Sequence, residues 1–163
     1  MFLQWQNNKK TGFTIMEIIV VIAVIVTAFS AILGFFVFES KTAERGRMRL
    51  GAIFLAQEAI EAIRNFRDNT TWTSGGVGSL TIGVDYHPVI SGNSWNIISD
   101  SEIINEFTRK IVVDRVYRDS NDNISDSGTE DSNTRKVTVT ISWTDRQRGT
   151  EESLITYITN WRK

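Results

Sequence analysis

From Ile18 to Phe38 every residue is apolar or small, IIVVIAVIVTAFSAILGFFVF. At ~1.5 Å per helical residue, this run is long enough to cross the ~30 Å hydrocarbon core of a bilayer. Its only polar side chains are Thr27 and Ser30, whose hydroxyls can bond back to the preceding helical turn. A core helix inside a soluble domain is the competing reading, and it fails on size. A chain of 163 residues holds one ordinary domain and too little else to surround such a helix. A secretory signal would have a shorter apolar stretch with a small-residue cleavage site behind it. Here ESKTAERGRMRL follows, so the helix is expected to stay in the membrane.

The flanking charges and the residues ahead of the span point in opposite directions. Lys9 and Lys10 precede it; Lys41, Arg45, Arg47 and Arg49 follow, partly offset by Glu39 and Glu44. Counting Lys and Arg alone, the C-terminal side would face the cytoplasm. The junction itself reads KKTGFTIMEIIVVIAVIV, with Lys9-Lys10, Gly12, Phe13, Thr14 and then Glu17 at the edge of the apolar run. This resembles the type III signal of type IV pilins and type II secretion pseudopilins. The resemblance implies a cytoplasmic leader, residues 1–12, removed after Gly12 by a prepilin peptidase, and N-methylation of the new amine of Phe13. It also implies a single-pass protein of the inner membrane whose C-terminal head is extracytoplasmic and reaches a filament or the cell surface on assembly. The implied partners are other pilin subunits in a filament or tip complex, the peptidase, the membrane and an assembly platform.

Glu17 has a physical rationale in that setting. A carboxylate within the apolar region costs ~2.5–3.5 kcal/mol on insertion scales and so calls for a partner. Cleavage after Gly12 creates a positive amine at Phe13, one helical turn away. The amine of one subunit can then meet the carboxylate of its neighbour, and a slipped subunit would leave a charge unpaired. A glutamate that merely snorkels to the interface is the plainer alternative.

Helical periodicity continues past the span. Leu50, Ile53, Phe54, Gln57, Ile60, Ile63 and Arg67 recur at three- and four-residue spacing, predicting an apolar stripe for packing against a globular head. No proline interrupts residues 13–67, so one helix of roughly 50 residues is expected, with Gly34 the point where a kink is permitted. Asn69, Thr70, Thr71 and the GGVG segment (Gly75, Gly76, Gly78) end it. Beyond them the apolar period becomes two, at Leu80–Ile82–Val84 and at Val137–Val139–Ile141–Trp143, the signature of half-buried strands. Ile111–Arg118 and Ser153–Trp161 are expected as neighbours of the second of these. The linkers are an acidic Asp119–Asn133 and a tight TDRQRGT in which Gly149 suits the turn.

The expected fold class is therefore α+β: a long N-terminal helix whose transmembrane half spans 13–38 and whose amphipathic half, 39–68, packs on a small antiparallel sheet formed by 69–163. The text LAQEAIEAIRNFRD, the late VTVTISW strand and the closing ITYITNW resemble minor pilins and pseudopilins of the PilV or GspI type. In that picture the chain belongs to a small complex at the filament tip; a major subunit is the other form.

No enzyme chemistry emerges. The chain has no cysteine and one histidine, which removes disulfides, thiolate zinc sites and cysteine nucleophiles. His87, beside Pro88, has no carboxylate or hydroxyl at a catalytic spacing. Gly92-Asn93-Ser94-Trp95-Asn96 lacks the last glycine of a nucleophile elbow, and GGVG has no lysine after it and follows a helix, so it is no phosphate loop. No cofactor or metal site is assigned. The loop from Asp119 to Glu130 has oxygen side chains at EF-hand spacing, but Ile124 occupies the glycine position and no helices flank it; a solvated hairpin loop is expected. Trp72, Trp95, Trp143 and Trp161 are expected in the core or at subunit contacts rather than stacking on ligands. Arg45, Arg47 and Arg49 with Glu39 and Glu44 form a mixed-charge belt, either solvated or pairing between subunits. Removal of residues 1–12 would leave 16 basic against 19 acidic side chains, which speaks against nucleic acid as a partner. A tip module for DNA or surface adhesion, and a simple signal-anchored envelope protein, are the competing functions.

Overall fold

The computed structural model describes residues 12–145 and 147–161. The chain divides into two units, residues 1–44 and residues 45–163. The basic pair Lys9-Lys10 and the remainder of the expected leader up to residue 11 lie outside the described residues. One α-helix, α1 (Ile15–Asn69), continues from the first unit into the second. It passes through Gly34 without interruption.

In the first unit α1 is apolar on all sides and every described residue is exposed. It is long and apolar enough to cross a membrane. Its hydroxyls are turned inward on the helix: Thr27 Oγ1 donates to the carbonyls of Ala23 (3.0 Å) and Val24 (2.9 Å), and Ser30 Oγ to that of Val26 (2.8 Å). Neither residue therefore brings an unsatisfied donor into an apolar medium.

The second unit is a seven-stranded antiparallel sheet packed on the C-terminal part of α1. Its strands are β1 (Asp85–Ser91), β2 (Ser94–Ser99), β3 (Glu102–Ile104), β4 (Phe107–Arg118), β5 (Ile124–Ser125), β6 (Thr129–Asp145) and β7 (Arg148–Thr159), with a short 3₁₀ turn at Val77–Ser79. The order is β2-β1-β4-β6-β7, with β3 and β5 also pairing with β4. The expected α+β architecture is thus observed. Its centre is the β4–β6 ladder, in which Ile111 faces Val139 and Val113 faces Val137, all four fully buried. Each such side chain contributes about 1.5–3 kcal/mol by leaving water. A register shift between Arg115 and Tyr117 lets Val116, rather than Arg115, turn into the core, as a bulge does when strict alternation would bury a charge.

Four local expectations need correction. The helix buries the expected stripe only in part: Ile63 is buried and Ile60 packs on the core, but most of the buried face is made of small residues. Ala52, Ala56, Ala59, Ala62, Ile63 and Phe66 are buried, whereas Leu50 and Phe54 are 56% and 66% exposed. Small side chains let the helix lie close on the sheet: a Cβ on Gly51 would already sit 3.2 Å from the Phe107 ring. Leu80–Ile82–Val84 is not a strand. Gly83 there adopts φ +73° and donates its N–H to the Val113 carbonyl, making a turn, although all three apolar residues still pack partly on the core. Gly149 does not form the last turn either. It sits in β7 opposite Thr144, and Asp145 pairs with Arg148. The connection is a two-residue loop, so a positive φ falls on Gln147 (+70°), as two-residue hairpin loops require. The acidic linker, finally, contains β5 and the beginning of β6.

Candidate functional site

The expected processing and assembly residues lie together at the start of α1. Gly12 and Phe13 precede the helix in irregular backbone, and Phe13 is 78% exposed. Thr14 is the cap. Its carbonyl accepts from the backbone N–H of Glu17 (3.0 Å) and Ile18 (3.2 Å), and its hydroxyl accepts from the Glu17 N–H (3.3 Å). Thr14-Ile15-Met16-Glu17 thus has the sequence of a capping box, which starts a helix sharply by satisfying donors that no preceding turn can meet. Glu17 is the acidic residue of the first turn, where the helix dipole favours negative charge. Among the described residues no cation forms an ion pair with its carboxylate.

Chemically, this arrangement presents an accessible, non-helical Gly12–Phe13 bond immediately before a rigid element. The cap at Thr14 starts the helix after that bond. A new amine at Phe13 would place positive charge at the positive end of α1, an unfavourable position by roughly 0.3–1 kcal/mol unless a carboxylate offsets it. Glu17 is the acidic side chain nearest in sequence that can do so.

The belt beyond the span is largely committed within the second unit. Arg45 Nε lies 3.0 Å from Asp145 Oδ2 and Arg49 Nε 2.6 Å from Glu152 Oε1. Pairing with the sheet is a third outcome, beside the solvated and inter-subunit alternatives. Arg47 is exposed.

The acidic loop is held by its own backbone. The Asp119 carboxylate accepts from the N–H groups of Asn121 (2.8 Å) and Asn123 (2.9 Å) and from the Asn123 amide (3.3 Å). The Asn123 and Asn121 N–H groups hold its pKa below the usual carboxylate range. Ile124 and Ser125 form a strand, and among the described residues no group of three or more acidic or imidazole side chains is disposed to hold a metal ion. Next to this loop Arg118 Nε binds Asp131 Oδ2 at 2.8 Å. Burial pushes the Asp131 carboxyl up, but the bonds from Arg118, Thr134 and the Asn133 N–H more than offset it, so the net shift is downward.

His87 Nδ1 lies 3.1 Å from the Asp100 carbonyl and is half-buried. Gly92 (φ +65°) and Asn93 are the β1–β2 turn, and Ser94 pairs with Ser91. Trp72 and Trp143 are buried, the latter edge-on to Phe107 at 5.7 Å; Trp95 is half-buried; Trp161 is 60% exposed.

Sequence reasoning missed Arg109. It is 2% exposed and forms a clamp beneath α1. Its Nη2 and Nε donate to Glu102 Oε2 at 2.6 and 3.1 Å, while Nη1 lies 3.4 Å from both the Leu55 carbonyl and Glu58 Oε1. A signal for it exists: Arg109 is in phase with Phe107, Ile111 and Val113, the inward positions of β4. An inward arginine demands an acidic partner, and Glu102 lies one short turn upstream. No protein-family model, curated protein or solved structure matches the chain.

Proposed function

We propose that the chain is a prepilin-type subunit, a minor pilin or pseudopilin of a type IV pilus or type II secretion-like filament. Its leader is cut after Gly12 by a prepilin peptidase and Phe13 is N-methylated. The observation that carries the reading is the junction. An exposed Gly12–Phe13 bond in irregular backbone meets a helix capped at Thr14, with Glu17 in its first turn and an all-apolar span beyond. In this reading the span sits in the inner membrane and the head lies outside the cytoplasm. Later, the exposed apolar first half of α1 is covered by neighbouring subunits in the filament, and the Phe13 amine of one subunit meets Glu17 of the next. Such a pair sets axial register, because a slipped neighbour leaves charge unpaired in an apolar medium.

Glu17→Ala separates assembly from the earlier steps. The variant is expected to be inserted and processed normally, yet to be absent from filaments sheared off cells that co-express the assembly machinery. Incorporation at the level of the unaltered chain would remove the role given to Glu17.

A further inference from the structure

At the C-terminal end of α1 the second unit encloses an open cleft of about 540 Å³, within the range of small-ligand sites. Its walls are fixed. Trp72 is buried, its indole N–H donating to the Ser132 carbonyl at 3.1 Å, and Gly78 lies so close that a Cβ there would sit 2.3 Å from the same nitrogen. The Thr70 hydroxyl is tied to the Phe66 carbonyl at 2.6 Å, and Ser74 N–H to the Thr71 carbonyl at 3.2 Å. On the opposite side Asn160 is bonded to Asn133 through its backbone N–H (2.8 Å) and its side-chain amide (3.5 Å).

Two features of this cleft are not required by the fold. Trp161 lines it with 60% of its surface exposed, although its N–H is held by Asp68 Oδ1 at 3.1 Å. A pinned indole left largely in water offers a large apolar face in a fixed orientation. Around it stand polar groups with no partner among the described residues: the hydroxyls of Thr71 and Thr73, the Asn133 amide nitrogen and the Asn160 amide oxygen. The set mixes donors with acceptors and is uncharged. Arg67, the cation among the described lining residues, shares its carboxylate partner Asp68 at 2.8 Å.

We propose that this cleft is a saccharide-binding site, taking a neutral pyranose unit of a glycan. A pyranose has one face of C–H bonds, which suits the negative face of an indole, and a rim of hydroxyls that both donate and accept. Trp161 matches the face; Asn133, Asn160, Thr71 and Thr73 match the rim. A nucleic-acid strand would also stack on an indole, but its phosphates demand unneutralised cations, and Arg67, the cation among the described lining residues, is paired with Asp68. The inference does not depend on the filament reading, since it concerns the head alone.

The test uses the full chain in phosphatidylcholine nanodiscs, which contain no glycosidic detergent. Methyl α-glucoside, methyl β-galactoside, N-acetylglucosamine and lactose are titrated, with tryptophan emission and saturation-transfer NMR as readouts. At least one sugar is expected to bind saturably with a millimolar Kd. Trp161→Ala is expected to weaken that sugar about tenfold or more, whereas Trp161→Phe keeps most of the affinity. Asn133→Ala is expected to weaken it while leaving the urea midpoint unchanged, which distinguishes a ligand contact from a folding defect. Failure of all four sugars, binding that survives Trp161→Ala, or an oligothymidylate that binds where the sugars do not would each overturn the proposal.

Discussion

The two halves of α1 solve the problem of apolar surface in opposite ways. In the first unit the helix carries isoleucine, valine and phenylalanine on every side, and all of those described are exposed. In the second unit the covered residues are mostly alanines, while Leu50 and Phe54 point outward. The lesson is that hydropathy and burial are different properties. A row of small residues at Ala52, Ala56 and Ala59 faces the same core as Phe107, Ile111 and Ile141, and there the sheet supplies the bulk. The first half, long and apolar enough to cross a membrane, has no such complement among the described residues.

The largest effect expected within the second unit comes from the clamp that holds helix to sheet. Glu102→Ala leaves a buried guanidinium with only its longer contacts, and the head is expected to lose on the order of 3 kcal/mol. Urea unfolding followed by tryptophan emission, with the chain in nanodiscs, reads this directly. A loss below ~0.5 kcal/mol would show that Glu58 and the Leu55 carbonyl suffice for Arg109.

Close packing is tested by size. Ala59→Leu should cost about 1–3 kcal/mol by overpacking, whereas Phe54→Ala on the outward face should stay within ~0.5 kcal/mol. If the two changes cost the same, the alanine row is not the contact surface and the contrast between the halves of α1 disappears.

The smallest effect concerns the acidic end of β6. Asp131 has its folded pKa shifted below its ordinary value. The stability it contributes is therefore fully present above the unfolded pKa and is lost as pH falls through the folded one. Asp131→Asn should flatten the acid limb of the stability–pH curve below about pH 4 and leave its slope near neutrality unchanged. An unaltered acid limb would assign that limb to other carboxylates.

Much of this architecture is legible in the sequence. The apolar run, the end of the helix near Asn69 and the strands expected at Ile111–Arg118, Val137–Trp143 and Ser153–Trp161 are legible from local pattern, and the fold contains each of them, the last ending at Thr159. What escapes such reading depends on partners distant in sequence. The alanine face of α1 carries little hydropathy, so large neighbours a quarter-turn away mask it. Leu80–Val84 alternates like a strand but turns at Gly83, which makes a single backbone bond to Val113 instead of a ladder. β1 and β2, flanking Gly92-Asn93, bury only alternate residues such as Tyr86, Pro88 and Ile97 amid polar ones, too weak a pattern to stand alone. At the junction, Gly12, Phe13 and Glu17 are legible as residues and Thr14-x-x-Glu17 has the pattern of a capping box, whereas the bonds that make Thr14 the boundary between irregular backbone and helix are seen in the structure.

The most direct test of the prepilin reading is the mass of the mature N-terminal peptide. The chain is co-expressed with a prepilin peptidase, with a bulky substitution at Gly12 as control. Loss of residues 1–12 with one added methyl on Phe13, abolished in the control, is the expected result. An intact N-terminus beside a working peptidase would contradict it, leaving a signal-anchored protein whose orientation follows Arg45, Arg47 and Arg49.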